Sequence, residues 1–258
     1  MILKRIATGI KNQDWFVVMV ELLIVVVGIY IGLQVDDWNK EREAKEVTKT
    51  YYSRLIEDLE TGKEASHLHI AYFEQTTKHG LGALKALNTP DAELGEQFII
   101  DIYQVTQSLP HDPHRRTYDE LLASGIANAI PDHNIRAKLA NFYNGLGLLG
   151  TILEEETGLR NTLRMHMPFE IQTAIRQNCG DHISFSENFL LKLQLSESCQ
   201  LDLEPDQVTE ALNSLANYSD LKKDVIRKLS DLEVKLNILK ALLTPVDAII
   251  ADLEEARK

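Results

Sequence analysis

Glu21 is the single charged side chain between Phe16 and Val35, a run that is otherwise apolar apart from Gln34. A carboxylate in such a setting has few chemical uses. An ionised group at mid-membrane costs roughly 2.5–3.5 kcal/mol, so it must be neutral, paired or turned toward protein. On a helix Glu21, Val25, Gly28 and Gly32 fall on one stripe. Gly28-Ile29-Tyr30-Ile31-Gly32 is a GxxxG pattern, which lets a second backbone approach closely. The stripe is the candidate transmembrane helix–helix contact, with Glu21 as its polar point. The neighbour is either an identical chain or a different membrane protein. Two other uses of Glu21 stay open: a protonated carboxyl facing lipid, and a proton carrier like the acidic residue in the single span of ion-driven motor subunits.

The histidines raise a metal question. "HDPH" places His111, Asp112 and His114 within four residues, and His79 is a further candidate. Metal sites with predictive spacing put two ligands on one helix face or use paired cysteines. Here Pro110 and Pro113 put the group in a loop, and solvent-exposed histidines are expected. His67 and His69, two apart, point to different helix faces. Nucleophile elbows, phosphate-cradling glycine loops and paired-carboxylate motifs are missing from the sequence. Glu154-Glu155-Glu156 and Glu254-Glu255 read as solvated helix faces. No catalytic, cofactor-binding or metal-binding residue is assigned, and a non-enzymatic protein is expected.

The element that must position Glu21 is a membrane-spanning helix. At about 1.5 Å per residue the Phe16–Val35 run is about 30 Å long, the hydrocarbon thickness of a bilayer. Trp15 and Trp38 bracket it as candidate membrane-interface anchors, each ring offering an apolar body and one N–H that stays wet. The run is longer than the apolar region of a cleaved signal peptide, and no small-residue cleavage site follows it. The expected organisation is a cytoplasmic tail (1–14), a transmembrane helix (15–38) and a periplasmic helical domain (39–258).

The chain has 258 residues and a net charge of −12, all of it downstream of the span. So acidic a body repels phosphate backbones and anionic lipid surfaces, so nucleic acid is excluded as a partner. Basic residues flank both sides of the span and do not orient it alone. Long domains translocate largely regardless of charge. Cys179 and Cys199 are the only cysteines, close together in the body. In an oxidising compartment they would form a disulfide worth about 3 kcal/mol; two unrelated buried thiols are the alternative. Together these points put the chain in a bacterial inner membrane, with its N-terminus cytoplasmic and its body periplasmic.

Helical periodicity dominates the body. Ala44, Val47, Tyr51, Leu55 and Leu59 continue the span without a break, at least to Thr61-Gly62. Leu68, Tyr72, Leu84 and Leu87 extend the pattern. Asn88 to Glu93 reads as a turn and a helix start at Pro90. Phe98, Ile99, Ile102, Tyr103 and Val105 form an apolar face. Thr117 to Glu120 reads as a capping box, and Gly125 as the end of that helix. Asp132 is a candidate cap for a helix facing inward with Ile135, Leu139, Phe142, Tyr143 and Leu146. The helical pattern then runs through Leu153 and Leu163 to Ile175. Between 178 and 205 the period is lost, and an irregular excursion pinned by the cysteines is expected, with no β-rich stretch anywhere.

The C-terminus carries a heptad seam: Val225, Leu229, Leu232, Leu236, Leu239, Leu243, Val246, Ile250 and Leu253. Pro245 is expected to kink it. The helix either folds back on the membrane-proximal helix, giving Tyr51, Leu55 and Leu59 a partner, or pairs with a copy. The fold class expected is all-α: one transmembrane helix continuing into an antiparallel helical bundle with a long C-terminal heptad helix.

"ELLIVVVGIYIGLQVDDWNKER" (Glu21 to Arg42) resembles the opening of an uncharacterised family of bacterial single-pass membrane proteins, a domain of unknown function. Those chains open with a glutamate, a Val/Ile-rich run, a glycine, Leu-Gln-Val, two polar residues and Trp-Asn. "TYDELLASGIANAIPDHNIRAKLANFYNGL" (Thr117 to Leu146) resembles the family's Leu-x-x-Ser-Gly stretch and the helix after it. Asp36-Asp37 stands where the family carries asparagines, which bears on a headgroup or partner contact. The resemblance implies a membrane anchor with a helical body and implies no activity. The partners expected are the lipid bilayer and a membrane protein or second copy. The function expected is that of a scaffold or accessory subunit. The alternatives are a periplasmic ligand-sensing domain and a motor-type subunit using Glu21.

Overall fold

A computed structural model of the chain describes residues 15–89, 94–125, 130–155, 157–196 and 198–258. The basic N-terminal tail and the turn at Pro90 lie outside the described residues. The described chain is mostly helical, and its frame is one long helix. Helix α1 (Trp15–Asn88) runs without interruption for 74 residues, through Thr61 and Gly62. That is about 110 Å of rod.

The rod has three zones. Its first, apolar zone is unburied. Among the described residues it is the one helix long and apolar enough to cross a membrane, by length and composition. The second zone, residues 39–50, is bare helix, exposed except at half-buried Thr48. Nothing packs on it, so local pairs must hold it. Asp36–Lys40 at 2.6 Å and Glu41–Lys45 at 2.7 Å are spaced four apart with the acid first, the favourable orientation. From Tyr52 onward the third zone buries Leu55, Ile56, Leu59, Ile70, Phe73, Thr76, Gly80 and Ala83 on one face.

That face is covered by α8 (Leu221–Arg257), which runs antiparallel to α1. Arg257 reaches Ser53, Asp247 holds Lys63 at 2.5 Å, and Lys240 holds Glu74 at 2.7 Å. Helix α8 continues through Pro245. Leu229 approaches Gly80 so closely that a Cβ there would lie 2.7 Å from the leucine and from Val105. Glycine at 80 is therefore what lets α1 and α8 meet with the segment after α2 (Glu96–Gln104) between them.

The C-terminal heptad is buried on a wider arc than a two-helix seam. Val225, Leu232, Leu239, Val246 and Leu253 are buried, while Leu229, Leu236, Leu243 and Ile250 are half-buried. The rest of the buried set is Leu221, Lys228, Lys235 and Ile249. The reason is that α8 touches other helices besides α1, notably α4 (His133–Glu154) and α5 (Leu159–His166). Lys235 buries its stem and donates from Nζ to the Glu155 carbonyl at 2.5 Å.

The smaller helices pack around this pair. Phe98, Ile99, Ile102, Tyr103 and Val105 are buried with Leu163, Ile171 and Ile175, which belong to α5 and α6 (Phe169–Asn178), and with Leu215 of α7 (Pro205–Ala216). Nearer the bare zone, Tyr52, Leu55 and Leu59 pack with Tyr118, Leu139, Tyr143 and Leu253. The pattern read as running from Leu153 to Ile175 is broken into pieces, with Gly158 preceding α5 and Pro168 preceding α6.

Two expectations are corrected. The chain is not purely helical, because the aperiodic stretch holds an antiparallel hairpin of β1 (His182–Phe185) and β2 (Leu191–Gln194). Each strand is four residues long, too short to show a two-residue period. The capping box at Thr117 is not formed either. Helix α3 (Arg116–Ala123) has Arg115 at its N-cap, without a side-chain cap bond of its own. The Thr117 backbone N–H donates instead to the Asp58 carboxylate of α1, and Glu120 turns outward to Arg54. Asp132, by contrast, accepts from the Asn134 and Ile135 amides and caps α4, and Gly125 follows α3 at φ 68°.

Candidate functional site

The apolar zone of α1 carries the Glu21, Val25, Gly28 and Gly32 stripe on an open surface. A Cβ placed on Gly28 or Gly32 meets nothing within 4 Å, and Val25 is exposed. Glu21 is half-buried, and its Oε2 has no hydrogen-bond partner within the chain. Trp15 and Trp38, 68% and 62% exposed, stand at the two ends. Among the described residues nothing covers the stripe at Gly28 or Gly32, while Glu21 is partly covered.

Cys179 and Cys199 are joined by a disulfide, with Cα atoms 5.4 Å apart. Cys179 is fully buried, and its carbonyl accepts from the Gln104 side chain at 2.6 Å. The bond therefore brackets the hairpin and fastens its base to the core.

The histidines are not the solvated set expected from the loop's prolines. His67 is exposed, but His69 is buried on the opposite face of α1. His111 is half-buried, and neither of its ring nitrogens has a partner. Burial pushes its pKa down to about 4, with the nearby His69 and His114 rings adding to the shift. His114 adopts φ 45°, held by its backbone N–H donating to Asp112 at 3.0 Å. His79 does not join this group. It lies farther along α1, where its Nδ1 is 2.8 Å from Asp101 of α2. Among the described residues, no cluster of three or more His, Cys, Asp and Glu is placed to hold a metal ion.

Hollows accompany these histidines, two of them beside His111 and His79. One, of about 20 Å³, is lined by Asp58, His111 and Tyr143. Tyr143 is buried with its hydroxyl unpartnered, and its ring stacks on Tyr118 at 4.5 Å. Burial raises the Tyr143 pKa, and the Asp58 charge adds to this. The hollow is about the size of one water molecule. The other is an open cleft of about 500 Å³ beside His79 and Asp101, edged by Gln75, Lys78, Gln97 and Ser196. Asp101 also accepts from Gln97 at 2.9 Å, and a Cβ at Gly82 would strike its carboxylate. Glycine at 82 makes room for that pair. Ser196 Oγ is 3.1 Å from His182 Nε2, with Ser196 half-buried and His182 exposed.

Sequence reasoning passed over Asp58, Lys228, Lys235 and the His79–Asp101 pair. The partners of Asp58, Lys235 and His79 lie 59, 80 and 22 positions away, and a charged residue is read from sequence as solvent-facing. The two buried lysines had one available signal: both sit three residues after a seam position, Val225 and Leu232.

No family model, curated protein or solved structure matches the chain.

Proposed function

We propose that this chain is a non-enzymatic, single-pass inner-membrane protein that acts as a scaffold or accessory subunit of a membrane assembly. In this reading its body is a periplasmic helical bundle. It docks in the bilayer through the Glu21, Val25, Gly28 and Gly32 face, onto a second copy or another membrane helix. The observation that carries the reading is the open glycine stripe: close backbone approach is possible there, and among the described residues nothing lies within 4 Å of a Cβ at Gly28 or Gly32. The resemblance of residues 21–42 to the opening of the uncharacterised single-pass family supports the same reading, and we propose membership of that family.

Substituting Gly28→Ile together with Gly32→Ile tests the face. Loss of crosslinking or co-purification in mild detergent, with the body still folded, is expected. Association that survives both changes counts against the contact.

A second reading, a ligand-sensing body that signals through a partner, has the cleft beside His79 and Asp101 in its favour. Thermal-shift screening of the full chain in detergent separates the two, since a specific ligand-induced rise favours the sensor.

A further inference from the structure

His69 sits in the buried face of α1, where both of its ring nitrogens are engaged. Nδ1 is 2.8 Å from the Ala65 carbonyl oxygen, and Nε2 is 2.7 Å from the Pro110 carbonyl oxygen. A carbonyl oxygen only accepts hydrogen bonds, so each contact requires an N–H on the ring. Neutral imidazole has one N–H and one bare lone pair; imidazolium has two N–H groups. A lone pair turned on a carbonyl oxygen at under 3 Å is repulsive. The two distances therefore fit the cation and not the neutral ring.

The two acceptors differ in need. Within a continuous α-helix the Ala65 oxygen already takes the backbone N–H four residues on. The Pro110 oxygen belongs to the loop between α2 and α3, and His69 is the tether that joins that loop to the rod here. We propose that His69 is a proton-dependent latch: doubly protonated, it ties the Pro110 loop to α1, and on losing a proton it can no longer hold both carbonyls.

The surroundings fit this assignment. His111, from the same loop, meets His69 edge-on with ring centroids 5.5 Å apart. Burial keeps His111 neutral down to about pH 4, so it places no like charge beside His69. Asp112 and His114 are the remaining titratable groups of the loop on this side. The hairpin turn contributes Phe189, Leu190 and Leu191, none of which titrates. On α1, Phe73 packs edge-on against the ring. One turn back, Glu64 is held by Asn188 and Lys63 by Asp247 of α8. The latch closes at low pH and opens as pH rises, because proton loss removes a donor.

The test is hydrogen–deuterium exchange of the full chain in detergent, read on the peptide spanning residues 107–115, from about pH 5.5 to about pH 8.5, a range that brackets imidazole titration. After correction for intrinsic exchange, protection of the loop should fall about tenfold with rising pH. His69→Gln cannot titrate, and its amide carries its N–H donors on one nitrogen only, so its loop protection should be flat across the range. His111→Asn should keep the wild-type response. Pathological folding of the glutamine variant does not remove the test, since imidazole ¹⁵N spectra of the wild-type chain report the same proton count. Loop protection independent of pH in the wild type overturns the proposal. So does a response that survives in His69→Gln and vanishes in His111→Asn, or a His69 ring with a bare nitrogen at about pH 5.5.

Discussion

Asp58 of α1 accepts the backbone N–H of Thr117 at 2.6 Å, and so caps a helix that begins 58 positions later in the chain. The cap is tertiary where the local sequence offered its own. The same helix is held a second time by Arg54, which forms paired bonds to Glu120, with the Tyr51 hydroxyl donating to the same carboxylate. Helix α3 is thus fastened to the rod at its start and along its outer face.

Replacing Asp58 by alanine should therefore destabilise the body by about 1 kcal/mol, the usual worth of a lost cap. Removing the Thr117 hydroxyl with valine should have a smaller effect, since no bond from that hydroxyl supports the helix start. Urea unfolding followed by circular dichroism gives both values. The reverse ranking would restore the local capping box and refute the tertiary cap.

Gly80 is where α1, Leu229 and Val105 converge, and a methyl group there has no room. Gly80→Ala should cost about 1–3 kcal/mol by overpacking. Gly28→Ala, with nothing within 4 Å, should leave body stability unchanged. Parallel thermal melts of the two variants check the contrast.

His111 gives the body an acid limb. Its folded pKa, about 4, lies below the ordinary 6.5, so the unfolded chain binds the proton more readily. That contribution to stability is complete above about pH 6.5 and is lost as pH falls through about 4. His111→Asn should flatten this part of the stability curve, as measured by denaturant midpoints across the acid range. An unaltered acid limb would show that other groups produce it.

The disulfide closes a loop with a sequence separation of 20. Chain entropy predicts about 3 kcal/mol of stabilisation. Cys179→Ser together with Cys199→Ser should lower the urea midpoint by the corresponding amount. The paired hairpin residues should lose exchange protection first, because the bond fastens the hairpin's base. Equal midpoints for the two proteins would show that the hairpin holds without it.

The apolar zone of α1, the helical character of the body and the Asp132 cap were all legible in the sequence. Each depends on residues within a few positions of one another. The alternation of Ile135, Leu139, Tyr143 and Leu146 fixed an inward face for the same reason. What escaped was decided by contact across the chain. Thr117 and Glu120 have the right spacing for a local cap, but Asp58 and Arg54 compete for the same groups and win. The hairpin was missed because four-residue strands, with β1 exposed throughout, carry no burial pattern. Lys228 and Lys235 carry no apolar signal in the sequence, yet both are buried on the arc where α8 meets several helices at once. The glycine stripe shows the converse limit: its spacing is plain in the sequence, yet among the described residues nothing packs on Gly28 or Gly32 to say what it is for.

Because α1 is one unbroken rod from Trp15 to Asn88, the bare zone after Trp38 contains no swivel. Set in a bilayer, the helix would act as a lever with its fulcrum at the lipid surface. The arm from Trp38 to Asn88 is about 75 Å, so a tilt of about 10° would sweep the far end through about 13 Å. A twist imposed within the lipid would turn every element fastened to α1 by the same angle.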